Sequence, residues 1–124
     1  MIRNKLVLAT YNLNKQREMN SILSPLGIHI VGLSEFPQVG DIEETGTTLL
    51  ENAYIKARTV YDFTGLPSLA DDTGLEVDSL GGAPGVYSAR YAGKNSTYEE
   101  NCNKLILNLK GYPKEKRVAS FKTV

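Results

Sequence analysis

The chain has one cysteine, one histidine and no net charge, and each scarcity excludes a class of function. With Cys102 alone, no intrachain disulfide can form and no zinc site can rest on thiolates. No histidine stands near it in sequence, so it reads as a buried helix thiol and not as a nucleophile. His29 lies between Ile28 and Ile30, where strand alternation turns it away from their shared face and towards solvent. Fourteen basic and fourteen acidic residues cancel. That balance argues against a broad positive field of the kind that holds a nucleic-acid polymer through many phosphates. The local basic run Lys110, Lys114, Lys116 and Arg117 is broken by Pro113 and Glu115 and reads as a solvated loop. No apolar run approaches the length of a membrane span, and the N-terminus lacks the apolar stretch of a signal peptide. The expected setting is therefore reducing and cytoplasmic, away from any membrane. Walker and dinucleotide fingerprints are missing as well: Asn95 follows Gly93–Lys94, and Pro84 interrupts Gly81–Gly85.

What is present suits one domain spanning residues 1–124, with 41% hydrophobic and 23% charged residues. Lys5 to Ala9 is a short apolar run that predicts a buried strand. After the polar turn Thr10 to Asn14, the residues Met19, Ile22, Leu23 and Leu26 recur at helical spacing, with Asn14 as cap and Gly27 as stop. Ile28 to Leu33 reads as a second strand, and Ser34 to Gly46 as a loop carrying the acids Asp41, Glu43 and Glu44. Thr48-x-x-Glu51 matches a capping box ahead of a helix whose apolar stripe is Leu49, Leu50, Ala53, Ala57, Val60 and Tyr61. Ser68–Asp71 and Leu75–Leu80 read as two extended runs joined in a hairpin around Asp72–Thr73–Gly74. A second capping box, Thr97-x-x-Glu100, opens a helix with Tyr98, Cys102, Leu105, Ile106 and Leu109 on one stripe, and Arg117 to Val124 reads as a strand. Strands alternating with helices, plus one hairpin, predict an α/β fold with a mixed β-sheet and flanking helices.

Two groups of residues can carry chemistry. Thr10-x-Asn12-x-x-Lys15 joins a buried strand to a helix, a corner where main-chain N–H groups and a first-turn lysine attract phosphate. Capping by Asn14 with Lys15 on the surface explains the same pattern equally well. The acids form the second group. Magnesium takes one or two protein carboxylates and fills its remaining positions with water and substrate phosphates. Glu43 or Glu44, with Asp71 and Asp72, meet that demand; simple turn chemistry at Asp–Thr–Gly and a solvated loop at Glu43 and Glu44 are the plain alternatives.

The order of these features narrows the choice. The stretches "LATYNLNK", "EETG", "ENAYIKA" and "LADDTGLEVDSLGGAPGVYSARYAG", with the helix behind them, resemble the non-canonical purine nucleoside triphosphate pyrophosphatases, also called inosine triphosphate pyrophosphatases. The resemblance runs from about Leu6 to Phe121. It implies the N-terminal portion of a two-lobed fold, a cytoplasmic homodimer, and Mg²⁺-dependent hydrolysis of inosine, deoxyinosine and xanthosine triphosphates to the monophosphate and diphosphate. Carried over residue by residue, Thr10, Tyr11, Asn12, Leu13, Asn14 and Lys15 would hold the triphosphate, with Thr73 on the substrate. Glu43, Asp71 and Asp72 would serve the metal, Asp72 also taking the proton of the attacking water. Glu51, Asn52 and Lys56 would line the cleft.

Two departures from the family pattern stand out. Tyr11 occupies a position where relatives often have glycine. The relatives also continue past the strand at Arg117 to Val124 with a Phe–Gly–Tyr–Asp loop and a Ser–His–Arg segment that grip the purine, and this sequence has neither. The resulting expectation is a phosphate- and metal-binding portion with weak, poorly selective hydrolysis or none. The alternative is an inactive remnant that binds nucleotide phosphate or only dimerises. A similar enzyme acting on modified pyrimidine triphosphates fits less well, because its opening loop is richer in Ser and Arg.

Overall fold

Lys5–Leu8 forms β1, and Leu6, Val7 and Leu8 form an apolar run because the strand is central. A computed structural model of the chain describes residues 4–124. In it, β1 takes β2 (His29–Val31) on one edge and β3 (Ser68–Leu69) on the other, both parallel. Parallel neighbours require long crossovers, and helices supply them. α1 (Leu13–Leu23) carries the chain from β1 to β2, and α2 (Leu49–Thr64) precedes β3. Val7, Ala9, Val31 and Leu33 pack with Val60 of α2 as the buried cluster, and Phe36, Val39, Ile42, Leu66 and Ala70 close around it.

A second sheet is antiparallel throughout, in the order β5 (Pro84–Gly85), β4 (Thr73–Val77), β6 (Ala119–Thr123). α3 (Tyr98–Asn108) opens with the expected capping box: Thr97 Oγ1 accepts the Glu100 N–H at 3.1 Å, and Glu100 Oε1 accepts the Thr97 N–H at 3.2 Å. Its Asn101 ties the helix to the turn before it, accepting from Ala92 N–H at 2.8 Å and donating to the Ala89 carbonyl at 3.0 Å. The chain divides into two compact units. The first holds residues up to Gly46 and Leu50–Asp71, the second Thr47–Leu49 and Asp72–Val124.

Parallel and antiparallel pairing with flanking helices is the expected α/β class, but the hairpin is not there. Leu69 pairs with Leu8 in the first sheet, whereas Thr73 pairs with Thr123 in the second, so the two runs never meet each other. Main-chain hydrogen bonding decides the matter. The Asp72 N–H donates to the Val124 carbonyl at 2.9 Å, and the Val124 N–H donates to the Asp72 carbonyl at 3.0 Å. A residue with both groups spent on a neighbouring strand cannot also form a tight turn. The expected cap moves too: Asn12, not Asn14, caps α1, its Oδ1 accepting the N–H groups of Asn14 at 2.9 Å and Lys15 at 3.3 Å. β2 is shorter than expected, since Leu33–Glu35 turns into a 3₁₀ helix. Several stripe residues, Ile22, Leu26, Leu50 and Ile106 among them, are exposed, and Cys102 is half-buried. His29 faces solvent as expected. No helix among the described residues is long and apolar enough to cross a membrane.

Gly74 illustrates why the second sheet needs a glycine. Its φ is not positive, so it is no turn residue. A Cβ there would lie 2.5 Å from the Gly85 carbonyl oxygen on the neighbouring strand. Gly74→Ala should therefore force β4 and β5 apart and cost about 1–3 kcal/mol, a loss that urea unfolding would measure.

Candidate active site

Parallel pairing places the carboxyl ends of β1 and β3 side by side, the edge at which α/β sheets assemble ligand sites. The Ala9 N–H donates to the Leu69 carbonyl at 2.8 Å, which holds the strand ends in step. Thr10 therefore leaves β1 beside Asp71, which follows β3. Thr10 Oγ1 accepts the Asn12 N–H at 3.1 Å, and Asn12 caps α1, which sets Lys15 in the first helical turn. From there Lys15 Nζ reaches Asp71 Oδ2 at 2.8 Å. Lys56, on α2, arrives from the other side. Its Nζ donates to the main-chain carbonyl of Asp71 and pairs with Glu44 Oε1 at 3.1 Å. Two lysines from two helices thus converge on one aspartate, and both are neutralised within the first unit.

A cavity of about 360 Å³ opens beside this network, with Thr10, Tyr11, Leu33, Ile42, Glu44 and Lys56 among its walls. Its acidic side is the loop of residues 40–46, which has no regular secondary structure. Hydrogen bonds fix both ends of that loop. Tyr11 donates its hydroxyl to the Gly40 carbonyl at 2.9 Å, and the Gly46 N–H donates to Asn52 Oδ1 at 2.7 Å. Gly46 has no space for a side chain: a Cβ would lie 2.6 Å from Glu51 Cβ and 2.7 Å from Asn52 Oδ1.

Asp72 and Thr73 belong to the second unit. Besides the paired main-chain bonds of Asp72 to Val124, Thr73 Oγ1 shares a hydrogen bond with Thr123 Oγ1 at 2.8 Å. Asp72 Oδ2 is sealed from solvent. The division between the units falls between the two adjacent aspartates.

The first unit brings Thr10, Tyr11, Lys15, Lys56 and Asp71 together with Glu44, which pairs with Lys56. Glu43, Leu13 and Asn14 are exposed. Asn52, expected on the cleft wall, is fully buried; it holds the loop from behind instead of facing an open cleft. Sequence reasoning missed that role, and the small Gly46 six residues upstream is the signal that could have found it. The Asn14 and Lys15 amides are spent on the cap, so an anion at this corner would rely on Lys15 Nζ more than on those two N–H groups. No group of three or more His, Cys, Asp or Glu among the described residues stands ready to hold a metal. The donor set is nonetheless all carboxylate. Hard oxygen ligands suit Mg²⁺, which needs only one or two of them when phosphates complete its shell.

Comparison with known proteins is decisive about family: the Ham1 family profile matches residues 6–124. The chain belongs to the Ham1 family. A dITP/XTP pyrophosphatase from Photobacterium profundum is 52% identical over 120 residues, a match that takes in 97% of this chain and 60% of the relative. Among solved structures, a HAM1 protein from Coxiella burnetii superposes with a TM-score of 0.87 at 48% identity, covering 97% of this chain and 60% of that one. The Ham1 protein of Staphylococcus aureus gives a TM-score of 0.83 at 39% identity, covering 96% and 60%. The chain therefore spans about three-fifths of the length of the relatives it matches.

The two lysines differ in burial, and stability should register the difference. Lys56 is 15% exposed against 38% for Lys15. Lys56→Met should cost about 1–3 kcal/mol by removing the partly buried ion pair to Glu44 and the donor to the Asp71 carbonyl. Lys15→Met should cost under about 1 kcal/mol, as expected of a half-exposed pair. Thermal or urea unfolding of the two variants side by side checks the order.

Proposed function

We propose that the chain supplies the phosphate- and metal-binding portion of a Mg²⁺-dependent pyrophosphatase acting on the triphosphates of inosine, deoxyinosine and xanthosine. The observation that carries this reading is the convergence of Lys15 and Lys56 on Asp71 at the carboxyl ends of β1 and β3. It is supported by the 52% identity to proteins named dITP/XTP pyrophosphatase. A homodimer and a cytoplasmic setting belong to the same reading.

The chemistry asks little covalent work of the protein. Water attacks the α-phosphorus, the bond from that phosphorus to the oxygen bridging the β-phosphorus breaks, and diphosphate leaves with the bridging oxygen. Lys15 and Lys56 then offset charge on the phosphate oxygens, the main electrostatic demand of phosphoryl transfer. Asp72 accepts the proton lost by the attacking water. An unperturbed aspartate is about three units too acidic for an efficient base at neutrality, so the water must become more acidic. Magnesium, held by Glu43 and the two aspartates with the phosphates, would supply that acidification. Asp71, paired with Lys15 at 2.8 Å, would turn its carboxylate to the ion as Lys15 meets a phosphate.

Because the chain spans about 60% of its relatives, a second reading is that it binds nucleotide phosphate without turnover. Diphosphate release from inosine triphosphate, measured with and without Mg²⁺, separates the two. On the proposed reading release requires Mg²⁺, and Asp72→Asn lowers it by about a hundredfold or more while leaving the melting temperature close to that of the parent. Turnover by Asp72→Asn at the parent rate would remove Asp72 from the chemistry.

A further inference from the structure

The loop of residues 40–46 carries Asp41, Glu43 and Glu44, yet the chain gives it no helix or strand to lie in. An irregular acidic loop disperses through self-repulsion unless something fixes it. Three contacts do so here. Asn52, fully buried, takes the Gly46 N–H at one end; Lys56 takes Glu44 in the middle; Tyr11 takes the Gly40 carbonyl at the other end. The first two come from α2. The third comes from the turn after β1, 29 residues away from its partner.

Tyr11 is well placed for this job. It stands between Thr10, whose hydroxyl accepts the Asn12 N–H, and Asn12, which caps α1, so its main chain is held by the same corner that positions Lys15. Tyr11 lines the same cavity as Ile42 and Glu44, and its hydroxyl reaches Gly40. The 3₁₀ turn at Pro37–Val39 fixes the preceding residues, with the Gly40 N–H donating to Pro37 at 3.2 Å. A tether at Gly40 therefore anchors the loop where regular hydrogen bonding stops and the acids begin.

We propose that Tyr11 is a positioning residue: its hydroxyl pins the acidic loop to the phosphate-binding corner, and so sets how readily Glu43 and Glu44 meet a divalent ion. The consequence for ion binding rests on the function proposed above; the pin itself does not. Tyr11→Phe keeps the ring and removes only the hydroxyl. Tyr61→Phe is the control, since Tyr61 lies on α2 with its ring under Arg58, outside the corner.

Two measurements on the full chain decide the matter. The first is amide hydrogen exchange of ligand-free protein. Tyr11→Phe should speed exchange across residues 39–46 by about two- to tenfold, the range of one net hydrogen bond, with β1 unchanged and Tyr61→Phe like the parent. The second is the Mg²⁺ dependence of diphosphate release from inosine triphosphate. There Tyr11→Phe should raise the ion concentration for half-maximal rate by a larger factor than it lowers the rate at saturating ion. Unchanged exchange in the loop overturns the pin, whatever the activity. Faster exchange with an unshifted Mg²⁺ dependence overturns its role in ion placement. A parent chain that releases no diphosphate defeats the proposed function, and the exchange experiment then decides the pin alone.

Discussion

The parallel pairing of β1 with β3 is the constraint on which the candidate site depends. β3 is only two residues long, and Val7 and Ala9 hold it by donating to Pro67 and Leu69 at 2.9 and 2.8 Å. That short ladder places Asp71 beside the turn leading into α1. Without it Lys15 would have no partner at 2.8 Å, and Lys56 would lose the Asp71 carbonyl. Hydrophobic burial secures the ladder from below: Val7 and Val60 are completely buried, and Leu66 and Ala70 close the cluster on either side of β3. A charged network at the surface thus rests on an apolar contact beneath it, which resists salt screening far better than the ion pairs do.

Adjacent aspartates invite the question of how a folded chain tolerates them. The answer lies in their division of labour. Asp71 belongs to the first unit, where Lys15 balances its carboxylate and Lys56 its carbonyl. Asp72 belongs to the second, its main chain built into the ladder with Val124. The pair is therefore no turn signal. It marks the point at which the chain passes from one sheet to the other.

Much of this was legible from residues alone. The central strand, the three helices and the second capping box follow from local patterns that tertiary contacts did not override. What failed had a shared cause. Asn12 and Asn14 are equally good caps by chemistry, and only the observed start of α1 separates them. The runs flanking Asp72 look like arms of one hairpin because each is short and extended, yet they pair with β1 and β6, about 40 to 60 residues away along the sequence, and not with each other. Asn52 was misplaced because a polar residue on a helix reads as outward-facing, and only the approach of Gly46 gives it a buried partner. The β1–α1 corner follows from local pattern, whereas the contacts of the irregular loop of residues 40–46, such as Glu44 with Lys56, have no periodicity that a sequence could show.

The lysines of the site are neutralised by its acids: Lys15 by Asp71, Lys56 by Glu44. On the proposed reading this bears on what can enter. A bare divalent cation drawn to Asp71 would leave Lys15 without its counter-charge, and a bare triphosphate drawn to Lys15 would do the same to Asp71. Each alone would break a pair and replace only half of it. A metal–triphosphate complex brings both signs together, so each lysine can exchange its carboxylate for a phosphate as each acid turns to the ion. The charge of the corner is then redistributed without stranding any group, and partial burial of Lys56 makes stranding costly. On that reading the paired charges favour a metal–triphosphate complex over either component alone, through the same four side chains that would bind it.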